Sequence, residues 1–446
     1  MSLSYNEAKL VRATIPSLRE HGEHIATVFY KTMLRSHPEL NNYFNNANMQ
    51  SGAQPRALTS LILAFASNIN HISEIIPMME RVAQKHASLN IQAEDYDIVG
   101  KYLLRAFAAV LGPNMTTDVR MAWNKAYWIM SRMLSSREAQ IYKEFEPWSG
   151  WRKFMVQSKK PETDDGDVVS FVLKPVDGNK LPLYKPGQYV SLRIRLAGMT
   201  YMQIRQYSLS DIPSADSYRI TVKRYLGQWT DYCSEAESRL PKRRSGASIV
   251  SGSTAVSSAS GNGFDNTDSS RAGLVSNALI DDLQEGDVVE LTHPAGDFGH
   301  HADDDSTVPI VLVSAGIGAA PLMSILNTII QKQPNKPVSW VHGSRQSAPF
   351  EAHVRGLAAQ HPNLRISFFK TRLAEPETAT HTHDFRVDLS YLSRDDLQLQ
   401  NGSTKYFICG PDVFMFEMES FLKSKSVSKS NVHFEPYSTG SFELKS

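Results

Sequence analysis

Two cysteines, Cys233 and Cys409, are all that 446 residues carry. A disulfide framework is excluded, and a reducing compartment is expected. Neither sign of charge is in excess, with 47 Lys plus Arg against 46 Asp plus Glu. That balance gives no electrostatic ground for nucleic acid or an anionic membrane as main partner. No apolar run is long enough to span a bilayer. The most apolar stretch, PIVLVSAGIGAAPLMSIL (309–326), is too short and is broken by glycine. The first residues, MSLSYNEAKLVRATIP, have no apolar signal core, and Glu7 argues against a transit peptide. The expectation is a soluble, cytoplasmic, monomeric protein. One hydrophobic core cannot serve this length, so two to four domains are expected.

What is present falls into three regimes. Up to about residue 146 the apolar residues recur at helical spacing, as in Leu58, Leu61, Ile62, Phe65 and Ile69. Tyr96, Val99, Leu103, Ala106 and Val110 form a second stripe, and Val119, Trp123, Ala126, Met130, Met133, Leu134 and Ile141 a third. An all-α domain over 1–146 follows. From Trp151 the period becomes two, in Val169, Phe171, Leu173 and in Val190, Leu192, Ile194, Leu196. Turn signals such as KPVDGNK and YKPGQY separate these runs, which predicts antiparallel strands closing into a small barrel over 148–305. A Ser- and Gly-rich segment at about 236–272 lacks any apolar period and reads as a disordered insertion without function. Over 306–446, buried-strand runs (VPIVLVSAG, PVSWVHG, LRISFF, KYFICG) alternate with helical ones, predicting a doubly wound α/β domain.

In the third regime Gly316, Ile317, Gly318, Ala319, Ala320 and Pro321 follow a strand and open a helix. Glycine there lets main chain approach a pyrophosphate at the helix N-terminus, and Pro321 suits a first turn. Alone the loop is a weak signal, because tight strand-to-helix turns use glycine anyway. RQYS adds a forked guanidinium for a diphosphate (Arg205), a flat ring (Tyr207) and a small hydroxyl (Ser208). PGQY before it, and Cys409, Gly410 and Pro411 after the glycine loop, complete an ordered set. This set resembles the ferredoxin-reductase-type flavoprotein module, an FAD-binding barrel followed by an NAD(P)-binding domain, over roughly 151–446.

The resemblance implies that Arg205, Gln206, Tyr207 and Ser208 hold FAD, with Tyr189 nearby and Ser276 at the pyrophosphate. Residues 316–321 would hold the diphosphate of NADH or NADPH, with Cys409, Gly410 and Pro411 near the nicotinamide. Cys409 is given no covalent chemistry. Glu435, Pro436, Tyr437, Ser438 and Thr439 would lie by the flavin. Here the chain reads EPYSTG where the family continues with Phe-Gly-Pro, so the turn after Glu435 must differ.

A reductase module needs an electron acceptor, and the helical domain is fused to it. In AQKHASLNI, His86 shares an apolar stripe with Met79, Val82 and Leu89. A lone histidine on such a face is more often a hydrogen-bonded core residue than a ligand. Here the order Pro38, Phe44, Gln54, Leu58, His86 resembles the globin fold, and globin plus FAD and NAD(P) domains is the flavohaemoglobin architecture. The resemblance implies haem b with His86 as the proximal iron ligand, and Phe44, Gln54 and Leu58 lining the distal pocket. Tyr30 would donate to bound O₂. Glu138 falls on an apolar stripe, where a carboxylate needs a partner. With Tyr96 it would pair with His86 and push electron density onto iron. Lys85 is expected to be solvated while tuning the haem potential.

The activity implied is that of a nitric oxide dioxygenase: NAD(P)H reduces FAD, FAD reduces the iron, and NO and O₂ become nitrate. Two alternatives stay open, a reductase with another acceptor and an oxygen sensor or store. Ser344 and Arg345 follow the second strand of the nucleotide domain, where a 2′-phosphate is read, but they do not decide between NADH and NADPH.

Overall fold

The computed structural model describes residues 2–44, 46–148, 150–225, 273–300, 305, 307–372 and 381–437. The insertion at about 236–272, Ser438 and Thr439 lie outside the described residues.

The first regime folds as α1 (Tyr5–Ala13), α2 (Ile15–Ser36), α3 (Asn46–Gln50), α4 (Ala53–Ser67), α5 (Ile76–Ala87), α6 (Asp95–Leu111) and α7 (Thr117–Glu144). The helix starts follow local chemistry. Ser4 caps α1 through a reciprocal pair with Glu7, and the Thr116 hydroxyl accepts from Val119 N at the head of α7. Proline occupies the first turn of α2 and of α5, where its missing N–H costs little. Of the expected stripes, Ile62, Phe65, Leu103, Trp123 and Leu134 are in the core. Leu58, Leu61, Val82, Val99 and Val110 are only partly buried against it. Helix α4 packs on α2 and α5 packs on α7.

The second regime gives β1 (Arg152–Pro161), β2 (Val168–Pro175), β3 (Tyr189–Ile194), β4 (Gln203–Ser208), β5 (Tyr218–Lys223), α8 (Leu274–Asp281) and β6 (Val288–Leu291). These strands form one antiparallel sheet in the order β4-β3-β6-β1-β2-β5. A bridge between Leu209 and Ile220 joins its two ends, closing it around Phe154, Phe171, Val190 and Leu291.

The third regime comprises β7 (Ile310–Ala315), α9 (Ala319–Lys332), β8 (Val338–Ser344), α10 (Glu351–Gln360), β9 (Leu364–Lys370), β10 (Thr382–His383), β11 (Lys405–Cys409), α11 (Asp412–Ser424) and β12 (Val432–Glu435). All pairs are parallel, in the order β10-β9-β8-β7-β11-β12. Strand β7 buries Ile310 and Leu312 in one layer and Val311 and Val313 in the other, which is why its sequence is a continuous apolar run. The direction of winding reverses between β7 and β11, the place where open α/β sheets take ligands.

The helical domain meets the barrel along α5 and the segment that follows β6. Gln84 Oε1 accepts from Gly296 N at 2.9 Å. The Thr292 hydroxyl donates to Ser88 O at 2.8 Å. The His293 ring stacks on Phe145, centroids 4.7 Å apart.

Candidate functional site

His86 sits one residue before the end of α5. Its Nδ1 lies 2.9 Å from Glu138 Oε1 and 2.9 Å from the Tyr96 hydroxyl. That hydroxyl donates to the same Glu138 oxygen at 2.6 Å. Tyr96 comes from the first turn of α6 and Glu138 from the buried face of α7, so three helices converge on one imidazole. With the carboxylate accepting from both neighbours, the ring proton belongs on Nδ1 and the Nε2 lone pair is left over. Nε2 has no hydrogen-bond partner among the described residues, and the side chain is 32% exposed. Glu138 Oε2 is buried without a partner. Burial, and then the Glu138 charge, pushes the Tyr96 hydroxyl far above its ordinary pKa, so it stays a donor.

On α2, Tyr30 is buried, and its hydroxyl accepts from Gln54 Nε2 at 3.1 Å. Burial raises its pKa to about 12. Phe44 stands edge-on to the Tyr30 ring, centroids 5.4 Å apart. Leu58, with Leu61 and Val82, is among the apolar side chains only partly buried against the helical core. An imidazole with a spare nitrogen, in a helical domain whose apolar side chains are in part left half-buried, fits a haem, which needs one axial donor and an apolar bed.

The structure pairs PGQY with RQYS across β3 and β4, with Tyr189 opposite Ser208 and Ser191 opposite Gln206. Arg205 makes one hydrogen bond, from Nη1 to Ile204 O at 2.7 Å, and no ion pair among the described residues. Burial lowers its pKa, so the position favours an anionic neighbour. A guanidinium with donors to spare fits the diphosphate of FAD. Lys85 corrects the sequence-based expectation of a solvated side chain. It donates to Gln206 Oε1 across the domain seam, and burial lowers its pKa to about 8, opposed by the Glu435 charge. Ser276 lies in the first turn of α8, its hydroxyl donating to Gly273 O at 3.2 Å.

Glycine is required in the turn between β7 and α9. A Cβ on Gly318 would sit 2.1 Å from Cys409 O, and Gly316 has φ +56°. Strands β7 and β11 are neighbours, with Ser314 opposite Cys409, so the loop 316–321 and the segment 409–411 come together. Tyr437 links the two halves of the module. Its hydroxyl lies 3.4 Å from Ser208 Oγ and donates to Ile317 O at 3.3 Å. Cys409 is buried, and its thiol donates to Glu435 O at 3.3 Å. Burial raises its pKa well above the ordinary thiol range, so it is an inert core residue. Pro436 follows Glu435 directly at the end of β12. Glu435 itself is buried, and burial raises its carboxyl to about 8, with Asp297 adding to the rise.

Gln84, Ser88, Ser191 and Thr292, which join α5 to the barrel, carry no local sequence signal. They are small or polar residues whose partners lie far along the chain.

A family model described as Globin matches residues 27–134. A second, described as Oxidoreductase NAD-binding domain, matches residues 312–420. A flavohemoprotein of Bordetella parapertussis is 35% identical, covering 98% of this chain and 99% of its own. One from Halalkalibacterium halodurans is 34% identical, covering 97% of this chain and 96% of its own. The crystal structure of a flavohemoglobin from Malassezia yamatoensis, which has bound FAD and heme, superposes with a TM-score of 0.75 at 25% identity. It covers 98% of this chain and 99% of the other. From end to end, then, the chain belongs to the flavohaemoprotein family.

Proposed function

We propose that the protein is an NAD(P)H-dependent nitric oxide dioxygenase that uses haem b and FAD and takes NO and O₂ as substrates. The labour divides among a haem domain (1–146), a flavin domain (148–305) and a nucleotide domain (306–446). It acts in the cytoplasm as a monomer. No helix of the described residues is long and apolar enough to cross a membrane.

When bound, the flavin converts the two-electron supply of NAD(P)H into single electrons, and the haem brings O₂ and NO together at iron. Everything else falls to the chain. His86 offers Nε2 as iron ligand because Nδ1 is held by Glu138 and Tyr96. The buried Glu138 carboxylate holds the ring proton on Nδ1, so Nε2 would donate more strongly to an iron bound there. On the other side Tyr30 keeps its proton, and Gln54 Nε2 supplies that proton's oxygen with a donor. The phenol's own O–H is therefore directed to a ligand in the distal pocket. Phe44 and Leu58 restrict that pocket to small guests. Arg205, Tyr207 and Ser208 bind the flavin, and residues 316–321 with 409–411 bind the nicotinamide nucleotide.

The paired His86, Tyr96 and Glu138 carry this reading. An oxygen store depends on slow autoxidation and gains nothing from a proximal carboxylate. A reductase with a soluble acceptor needs none of these three residues. Each NO combined with one O₂ and one electron gives one nitrate, so one NAD(P)H serves two NO. The test is NO consumption by the purified protein under air, followed with an NO electrode alongside NAD(P)H oxidation. Rapid loss of NO with two nitrate per NAD(P)H is expected. Slow NO loss together with rapid dye reduction would sink the assignment.

A further inference from the structure

The seam between the haem-ligand helix and the flavin motif holds a closed ring of hydrogen bonds. Lys85 Nζ donates to Gln206 Oε1. Gln206 Nε2 donates to Ser191 Oγ at 3.0 Å. The Ser191 hydroxyl donates to Ser88 Oγ at 3.2 Å, and the Ser88 hydroxyl donates to Lys85 O at 2.7 Å. All four bonds run in one direction, an arrangement in which each strengthens the next. Ser88 and Ser191 are completely inaccessible to solvent. Thr292 locks the ring from a third element, with its oxygen 3.3 Å from Ser191 N and its proton on Ser88 O.

We propose that Ser191 and Ser88 are positioning residues for electron transfer from flavin to haem, acting through Gln206 and Lys85. The proposal rests on the functional reading above. Lys85 and Ser88 stand on either side of His86, and Gln206 stands between Arg205 and Tyr207. The ring therefore joins the residue before the iron ligand and the second residue after it to the residue between two flavin-binding side chains. It also sets the sense of the Gln206 amide. Ser191 accepts from Nε2, which leaves Oε1 for the Lys85 ammonium. Reversing the amide would turn its N–H groups towards that ammonium, donor against donor. Without the Ser191 hydroxyl only the Lys85 ammonium opposes the reversal, so the sense of the amide rests on one contact instead of two. Transfer between two bound groups depends on their fixed relation, and that relation is kept only while supporting side chains are themselves locked.

The experiment uses the holoprotein under anaerobic stopped flow, with flavin and haem reduction by NAD(P)H followed at separate wavelengths. Ser191→Ala is expected to slow haem reduction about tenfold, the scale of loss from sub-ångström misplacement of reacting groups. Flavin reduction and the content of both cofactors stay as in the parent. Hydrogen exchange at residues 84–91 accelerates. Ser191→Thr, which restores a hydroxyl, returns both the rate and the exchange to the parent values. Ser88→Ala breaks the ring from the helical side and gives the same split. Parent-like haem reduction in Ser191→Ala and Ser88→Ala, with faster exchange, would make the ring mere adhesive between domains and overturn the proposal. Unchanged exchange in both variants would also overturn it. If the parent protein purifies without haem, the functional reading fails instead, and that is visible before any variant is made.

Discussion

Glu138 and Glu435 are both buried carboxylates, 2% and 8% exposed, yet they live under opposite conditions. Glu138 receives two donors on one oxygen, from Tyr96 at 2.6 Å and His86 at 2.9 Å. Glu435 has no side-chain hydrogen bond among the described residues; burial dominates, and its carboxyl is raised to about 8. Depth alone therefore does not say what a carboxylate is for. Donors tie one to the imidazole proposed as iron ligand, whereas their absence leaves the other able to gain or lose a proton near neutrality.

The comparison breaks most completely if His86 is removed. His86→Ala is expected to purify with FAD and almost no haem, while NAD(P)H-driven reduction of a dye persists. Normal haem content in that variant would remove the reason for a charge at Glu138. A smaller effect concerns Glu435. Its folded-state pKa lies above the ordinary 4.5, so between those values the folded chain holds a proton that the unfolded chain has released. Its contribution to stability is therefore fully present below about pH 4.5 and is lost as pH rises towards about 8. Each unit of pKa shift is worth about 1.4 kcal/mol. Glu435→Gln should flatten the decline, closing a difference of up to about 4 kcal/mol in the unfolding free energies obtained by denaturation from pH 5 to 8. Identical curves for variant and parent would mean that Glu435 is ionised throughout.

Glu138→Gln keeps the shape at the proximal site but removes the charge. Hydrogen bonds to charged groups are worth about 1.5–3 kcal/mol, and 1 kcal/mol is roughly 43 mV for a one-electron couple. With part of that interaction differing between the two iron states, the haem potential should rise by tens of millivolts on the same relation. The Fe–His stretching frequency of the ferrous, ligand-free protein should fall. Unchanged values of both would show Glu138 to be a structural partner only. The smallest effect is expected from deleting residues 240–272, Ser- and Gly-rich and without apolar period. Stability should move by less than about 0.5 kcal/mol, with both carboxylate environments untouched. Loss of FAD from the deletion variant would give that stretch a role that its composition hides.

Glu138 was legible in the sequence because a carboxylate on an apolar helical stripe contradicts its surroundings, and the contradiction names a need for a partner. The three regimes were legible because helical and strand periods differ. The seam was not. Ser88 and Ser191 stand 103 residues apart, and a buried hydroxyl leaves no periodic trace. Lys85 was misplaced for a related reason. It lies off the apolar stripe of α5, and amphipathicity reports only whether a face is polar. It cannot tell water from the polar flank of a second domain. Tyr437 was expected beside the flavin from resemblance alone, and its bond to Ile317 O came only with the fold.

The ties between helix α5 and the barrel have a consequence for inheritance. In two of them one side is main chain: Gly296 N for Gln84 and Ser88 O for Thr292. For each tie a single side chain must be kept, while the facing position can drift without breaking the bond. The Ser88–Ser191, Lys85–Gln206 and Arg81–Asp297 contacts are different, because there both partners are side chains. Recombination that joins this haem half to a foreign reductase half should therefore keep the main-chain ties and lose these matches. Restoring positions 191, 206 and 297 together should be the step that makes such a hybrid work.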